Sequence, residues 1–200
     1  MAGRYVNNAL TMNFDEDINE CLTILRKGGV ILYPTDTIWG LGCDPVNPAA
    51  VEKIFRIKSR EQGKSLLILV DGEAMLERYV TEVPEIAWAI TGVSDDPLTI
   101  IYPGGKNLAP GVCSEDGSIG IRICHDEFCR ELIKKFRRPI VSTSANLSGK
   151  QSPGNFSEID RSVIEAADYV VKYRQDDRRK TSSSPVIMLG ADGTVKIIRK

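Results

Sequence analysis

Short apolar runs alternate along this chain with stretches whose apolar residues recur every three or four positions. The runs at 30–33 and 66–70 are unbroken, which suits strands buried on both faces. Three similar runs, at 98–102, 119–123 and 140–143, carry a polar or small residue among their apolar ones. Between them, Ile18, Leu22 and Leu25 are spaced by four and three and predict a helix, capped by Asp15 and stopped by Gly28-Gly29. Asn47-Pro48 is a cap followed by proline at the first helical position. It opens a helix with Val51, Ile54 and Phe55 on one face, ending near Lys58. Helices over about 72–79 and 84–90 follow. Asp126 caps another, with Cys129, Leu132, Ile133 and Phe136 on its apolar face. Ser157, with Asp160 three residues on, resembles a capping box, followed by Val163, Ile164 and Ala167.

Runs at 169–171, 186–189 and 194–198 predict three closing strands, the last two joined across Ala191-Asp192-Gly193. That close pair requires antiparallel pairing, whereas the interleaved helices elsewhere favour crossovers. The expected architecture is an α/β fold, a twisted mixed parallel/antiparallel sheet with flanking helices, in one domain over residues 1–200. Three segments read as loops. Residues 34–45 are rich in Thr, Asp and Gly, and 103–117, rich in Pro and Gly, suggest a mobile loop over a site. The polar stretch 174–184 reads as an exposed loop, a candidate for disorder without ligand.

Composition narrows the function classes. A hydrophobic fraction of 42% and a charged fraction of 26% are those of a soluble globular protein. The net charge of −1 gives no global pull toward nucleic acid or membrane, so any anion site must be a local concentration of charge. No apolar run has the length of a membrane span, and the first residues lack the apolar core of a signal peptide. The five cysteines (Cys21, Cys43, Cys113, Cys124, Cys129) are odd in number and irregularly spaced, which fits reduced thiols in a cytoplasm. Cys124-His125 with Cys129 lacks paired Cys-x-x-Cys spacing, a poor match to a zinc site. The single histidine, His125, also argues against a Ser-His-Asp hydrolase.

The candidate chemistry lies in four clusters. Ser142-Thr143-Ser144-Ala145-Asn146-Leu147-Ser148-Gly149 crowds hydroxyls and an amide at the end of a predicted strand. Such groups line crevices that hold phosphate or carboxylate, although a Ser/Thr-rich turn has the same composition. Lys58 and Arg60 suit the same anion, or are the solvated cations of a helix end. Arg122, flanked by apolar residues, must either meet an acidic side chain or present its fork to a ligand carboxylate or phosphate. Thr35, Asp36 and Thr37 sit just past the first strand, at the carboxyl end where such sheets collect ligands. No Walker loop and no Gly-x-Gly-x-x-Gly fingerprint is present. The residues alone therefore support an α/β domain with an anion pocket built from several loops.

Taken together, these clusters resemble the YrdC-like family of L-threonylcarbamoyladenylate synthases. Residues 34–44, Pro-Thr-Asp-Thr-Ile-Trp-Gly-Leu-Gly-Cys-Asp, are similar to its first motif, with Trp39 where tyrosine or phenylalanine is usual. Lys58-Ser59-Arg60 is similar to its Lys-x-Arg signature, and the strand from Ser118 to Ile123 to the one bearing the family arginine, here Arg122. Ser144-Ala145-Asn146-Leu147-Ser148-Gly149 matches its Ser-Ala-Asn-x-Ser-Gly segment in full, and Arg199 falls near the arginine of its last strand. Several positions depart from the pattern. Glu61 and Ser65-Leu66 replace proline and proline-leucine, Leu69 stands where the long form has histidine, Asp95-Asp96-Pro97 replaces Pro-Gly-Pro, and Pro185 replaces a threonine. The chain ends at Lys200, short of the long form's second domain.

The resemblance implies a YrdC-like sheet with a concave ligand-binding face. It implies a nucleotidyltransferase that joins L-threonine, bicarbonate and ATP into threonylcarbamoyl-AMP, releasing pyrophosphate, with Mg2+ held mainly by ATP phosphates and water. Lys58 and Arg60 would be catalytic and contact ATP phosphates, with Ser118, Ser144, Asn146, Ser152 and Arg199 on the nucleotide side. Thr35, Arg122, Ser142 and Ser184 would hold threonine. The implied partners are tRNA and the proteins that transfer the threonylcarbamoyl group to it, with no membrane. Two alternatives stay open: an RNA-binding or ribosome-associated module using Arg174, Arg178, Arg179 and Lys180, and a paralogue transferring another carbamoyl group.

Overall fold

A computed structural model describes residues 14–59, 65–92, 96–190 and 192–200. Helix α1 (Asp15–Arg26) starts at Asp15, the residue expected to cap it, so its cap lies one position earlier than expected. Phe14 is the capping residue and offers no side-chain bond, so Asp15, Glu16 and Asp17 form an acidic first turn that suits the helix dipole. Gly28, at φ +76°, ends the helix. Strand β1 (Ile31–Tyr33) follows, then β2 (Gly40–Gly42) and α2 (Pro48–Lys58). Asn47 caps α2 as the sequence predicts, its Oδ1 accepting from the N–H groups of Ala49 and Ala50 at 3.0 and 3.3 Å.

Next come β3 (Leu67–Val70), α3 (Glu73–Leu76), α4 (Glu85–Thr91), β4 (Thr99–Tyr102), β5 (Ile119–Ile123), α5 (Glu127–Phe136) and β6 (Ile140–Ser144). Asp126 caps α5 through Cys129 N at 3.0 Å. Helix α6 (Arg161–Ala166) is capped by Asp160, whose Oδ1 accepts from Ser162 N. Ser157 does not begin it: it sits in a 3-10 turn and donates to Asn155 Oδ1 at 2.8 Å. Strands β7 (Tyr169–Val170), β8 (Val186–Leu189) and β9 (Val195–Arg199) complete the chain.

The strands form one mixed nine-stranded sheet in the order β7-β1-β2-β6-β3-β5-β4-β8-β9. The pairs β1/β7, β3/β5 and β4/β8 are parallel and the others antiparallel. Strand β2 corrects the expectation of a plain loop over 34–45. Its Gly-Leu-Gly sequence has no apolar alternation, yet it pairs with β1 and β6 at once. The space is already taken by a neighbour: a Cβ on Gly42 would lie 2.6 Å from Tyr33 Cε1 and 2.9 Å from the Val141 carbonyl.

Successive side chains point to opposite faces, so register decides what shares a surface. Leu67 is paired with Gly120 and Ser142, Gly120 with Ile101, and Gly40 with Ser144, all on one face. Ile68, Ile100, Ile121 and Val141 occupy the other. A bulge in β9 opposes Val186 to Arg199 but Ile187 to Ile197, so an extra residue is spent and Arg199 is re-aimed. One contiguous apolar core runs from Ile18 to Leu189. Phe14, Phe128 and Tyr173 pack ring to ring, joining α1, α5 and the segment after β7.

The segment 103–117 does not form a lid. Its backbone is bonded to Tyr79, Thr81, Pro45 and Leu66, and Ala109 and Val112 are buried. The 174–184 segment is exposed in its middle, as its polarity predicts, but is tied at several points. Arg174 pairs with Asp126 at 2.6 Å, Thr181 N donates to Gly154 O at 3.0 Å, and Ser184 is buried.

Asp17 anchors the turn after β7. Buried in the first turn of α1, it accepts from Tyr169 Oη at 2.6 Å, Lys172 N at 3.0 Å and Tyr173 N at 2.9 Å. Burial, and then this bond to a carboxylate, push the Tyr169 phenol above its ordinary range. Asp17→Ala leaves three donors without their acceptor, partly replaced by water. We expect a loss of about 2 kcal/mol, a fall of roughly 4–8 °C in Tm by thermal melting, with substrate KM values unchanged.

Candidate active site

The face that carries Gly40 and Gly120 opens into a cavity of about 350 Å3, within the range of about 300–1,000 Å3 usual for ligand pockets. The two glycines leave room above the strands, and the polar wall comes from Thr37, Arg122, Ser142, Ser144, Ser184 and Arg199. Among the described residues, no aspartate or glutamate lines it.

Arg122 realises both alternatives open to it. Its side chain is 4% exposed, and Nη2 lies 2.9 Å from Asp36 Oδ1 in an ion pair too oblique to count as a hydrogen bond. Nη1 donates to Thr37 Oγ1 at 3.0 Å, while Nε has no partner, although the residue lines the cavity. Thr35, by contrast, does not line this cavity. Its hydroxyl accepts from Thr37 N and donates to Ile38 O at 2.8 Å, shaping the loop that delivers Thr37 and Trp39.

Also at the cavity wall, Thr99 and Ser184 share a hydroxyl bond of 2.8 Å. Arg199 donates through Nε and Nη2 to the Ser184 carbonyl at 3.1 and 2.7 Å. Partial burial, and then the charge of Arg122, hold the Arg199 guanidinium below the usual arginine range. Two guanidiniums with no carboxylate among the described wall residues make the cavity a site of positive potential.

Lys58 is placed differently from a solvated helix-end cation. It is 1% exposed, and Nζ donates to the carbonyls of Ser144 and Asn146, the latter at 2.7 Å. Its own carbonyl accepts from Ser148 N at 2.8 Å. Lys58 thus supports the hydroxyl-rich loop from beneath rather than lining the cavity, and Ser59 turns the chain at φ +47° just beyond it. Arg60 lies outside the described residues.

Ser142, Ser144 and Ser152 line the cavity. Asn146 stands behind them, donating through Nδ2 to Leu147 O and Lys150 O, with Oδ1 buried and unpartnered among the described residues. Ser118 is not at the wall; it belongs to a turn in which its N–H donates to Asp116 Oδ1 at 2.9 Å. Sequence reasoning placed Asp36 and Thr37 in a candidate ligand-collecting loop without a specific role, noted Trp39 only as a motif residue and did not mark Thr99. The first three lie inside the conspicuous 34–44 motif, whereas nothing in the sequence distinguishes Thr99 from any other strand threonine. Two guanidiniums, a row of hydroxyls and the absence of a wall carboxylate suit a ligand with a carboxylate or phosphates.

Comparisons with known proteins agree with this geometry. Residues 23–200 match the Sua5/YciO/YrdC family model, described as telomere recombination. A threonylcarbamoyl-AMP synthase of Pseudoalteromonas translucida (strain TAC 125) is 34% identical over 163 residues, spanning 80% of this chain and 87% of that relative. E. coli YciO superposes with a TM-score of 0.79 at 26% identity, covering 92% of this chain and 89% of that one. P. abyssi Sua5 complexed with L-threonine superposes with a TM-score of 0.77 at 27% identity. That match covers 88% of this chain and 51% of Sua5, so this chain spans about half the length of that protein. The chain belongs to the Sua5/YciO/YrdC family.

Proposed function

We propose that this protein is an L-threonylcarbamoyladenylate synthase, which forms threonylcarbamoyl-AMP and pyrophosphate from L-threonine, bicarbonate and ATP. The observation that carries the reading is the buried Arg122, held on two sides by Asp36 and Thr37, at the wall of a cavity lined by no carboxylate among the described residues. It is supported by a relative named threonylcarbamoyl-AMP synthase and by the similarity to a Sua5 bound to L-threonine.

In this reading the threonine carboxylate meets Arg122, with Ser142 and Ser184 beside it and Thr35 acting through Thr37. The amine adds to bicarbonate-derived carbon dioxide, losing a proton to give a carbamate. A carbamate oxygen then attacks the α-phosphorus of ATP, and pyrophosphate leaves. No protein nucleophile is needed; the demand is for placement and charge neutralisation. Ser144, Ser152 and Arg199 face the nucleotide side of the cavity. Lys58 acts by holding the Ser144–Asn146 backbone in place, and Arg60 is assigned to the phosphates by motif alone. The wall residues supply hydroxyls but no carboxylate, which fits a magnesium ion bound mainly by triphosphate oxygens and water. Such an ion would supply neutralisation of phosphate charge, and the buried Asn146 Oδ1, without a partner among the described residues, would be an acceptor for its water.

The product would be consumed by the proteins that modify tRNA, in the cytoplasm. Three of the four cations that suggest an RNA-binding module are ion-paired, Arg174 with Asp126, Arg179 with Asp177 and Lys180 with Glu158. Among the described residues no helix is long and apolar enough to cross a membrane.

The test is a pyrophosphate-release assay with purified protein, ATP, bicarbonate and Mg2+. Release is expected only when L-threonine is added. Turnover that ignores threonine, or no turnover at all, removes the reading.

A further inference from the structure

Asp36 is assigned no role by the reaction, yet it is the carboxylate in contact with the arginine on which the proposed reaction depends. Its side chain is 11% exposed, and its Oδ1 faces Arg122 Nη2 at 2.9 Å. Its other oxygen, Oδ2, accepts at 3.6 Å from Sγ of Cys124, two residues beyond Arg122 and just past the end of β5. The loop that carries Asp36 is itself locked. The Thr35 hydroxyl bonds both Thr37 N and Ile38 O, so the position of Asp36 does not depend on Arg122.

The ion pair also lies at a boundary. Arg122 lines the reactive cavity, whereas Asp36 lines a second cavity of about 400 Å3 on the far side of the loop. Thr37 and Trp39 border both. A guanidinium that is 4% exposed is costly unless paired, and Asp36 is the charged group that pairs it. Without that anion the side chain gains by swinging toward water, and the guanidinium loses its fixed plane. Recognition of a carboxylate by arginine depends on that plane, since parallel donors must meet the two oxygens.

We infer that Asp36 is a positioning residue: it fixes the guanidinium of Arg122, which lines the cavity, so that its donors meet the carboxylate of the amino-acid substrate. The inference rests on the synthase reading above. It assigns Asp36 to amino-acid binding and not to the nucleotide.

Steady-state kinetics of the full chain test it. D36N is expected to raise the KM for threonine roughly 10- to 100-fold, the equivalent of one charge-assisted contact, with the KM for ATP changed by less than about twofold. D36E keeps the charge but displaces it by a methylene, so its threonine KM should fall between wild type and D36N. A threonine KM that is unchanged or lower in D36N, or a matching rise in the KM for ATP, overturns the inference. Should D36N not fold by thermal melting, D36E carries the test, and a threonine KM equal to wild type overturns it. Wild type without threonine-dependent turnover sinks the synthase reading itself. An active wild type with an unaffected D36N sinks only the role of Asp36.

Discussion

Replacing Lys58 with methionine removes activity and lowers the melting temperature together. The sequence presents Lys58 as the last residue of a helix, where a cation is ordinarily solvated and dispensable to the fold. Its burial and its bonds to the Ser144 and Asn146 carbonyls change that expectation. Methionine preserves the length of the side chain but leaves two inward carbonyls without a charged donor. At about 1.5 kcal/mol or more for each such bond, the loss is about 3 kcal/mol, or roughly 6–12 °C in Tm for a chain of this size. The freed loop carries Ser144 at the cavity wall, so pyrophosphate release should fall at least about 100-fold at temperatures where the variant is still folded. Melting followed by circular dichroism and a turnover assay on the same sample check both halves. An inactive variant with the wild-type Tm would show that Lys58 acts on the substrate and not on the loop.

Arg122→Lys is expected to cost most in catalysis. The guanidinium contacts both Asp36 and Thr37 while the residue lines the cavity. A lysine ammonium is a point charge on a flexible stem and cannot span those directions at once. It will settle against Asp36, the nearest anion, and withdraw from the cavity. On the proposed reaction this removes two charge-assisted bonds to the threonine carboxylate. At about 2 kcal/mol each, kcat/KM for threonine should fall about 1,000-fold, with little change in ATP binding measured by calorimetry. Retention of most of the activity would mean that the carboxylate is held elsewhere.

Comparison of the elements shows where local information suffices. Asn47 and Asp126 cap their helices as read from the sequence, because a cap is satisfied within three residues of chain. Asp15 and Ser157 carry the same signal but do not cap. Phe14 occupies the capping position of α1, its ring packed on Phe128 and Tyr173, and Asp160 supplies the cap of α6. Strand β2 was illegible for a different reason. A glycine strand has no side-chain pattern, and its place is set by the Tyr33 ring and by partners on both sides. The loop over 103–117 looked mobile from its glycines and prolines, whereas backbone bonds to distant segments hold it against the body of the fold.

The site divides in the same way. Ser142, Ser144, Ser152, Arg122, Ser184 and Arg199 were named from residue types and motif, and the fold brings all of them to one cavity across β5, β6, β9 and the segments between. Thr35 and Lys58 were named as contacts, but each stands behind the wall and supports a neighbour that reaches it. Asp36 was named only within a candidate ligand-collecting loop, and Thr99 was not singled out. Their roles exist only as partners, one to Arg122 and the other to Ser184.

The sequence by itself determined the class of fold, most of its strands and helices, and the chemical character of the site. These follow from periodicity, capping and residue type, which act over a few residues. The tertiary structure decided which cations face the ligand and which are spent within the protein, which hydroxyls share one face of the sheet, and how Arg199 enters the cavity through a bulge in β9. Those outcomes depend on strand register and on ion pairs between residues far apart in the chain, such as Asp36 and Arg122. A shift of one position in the register would move each side chain to the opposite face while leaving the local sequence signals the same.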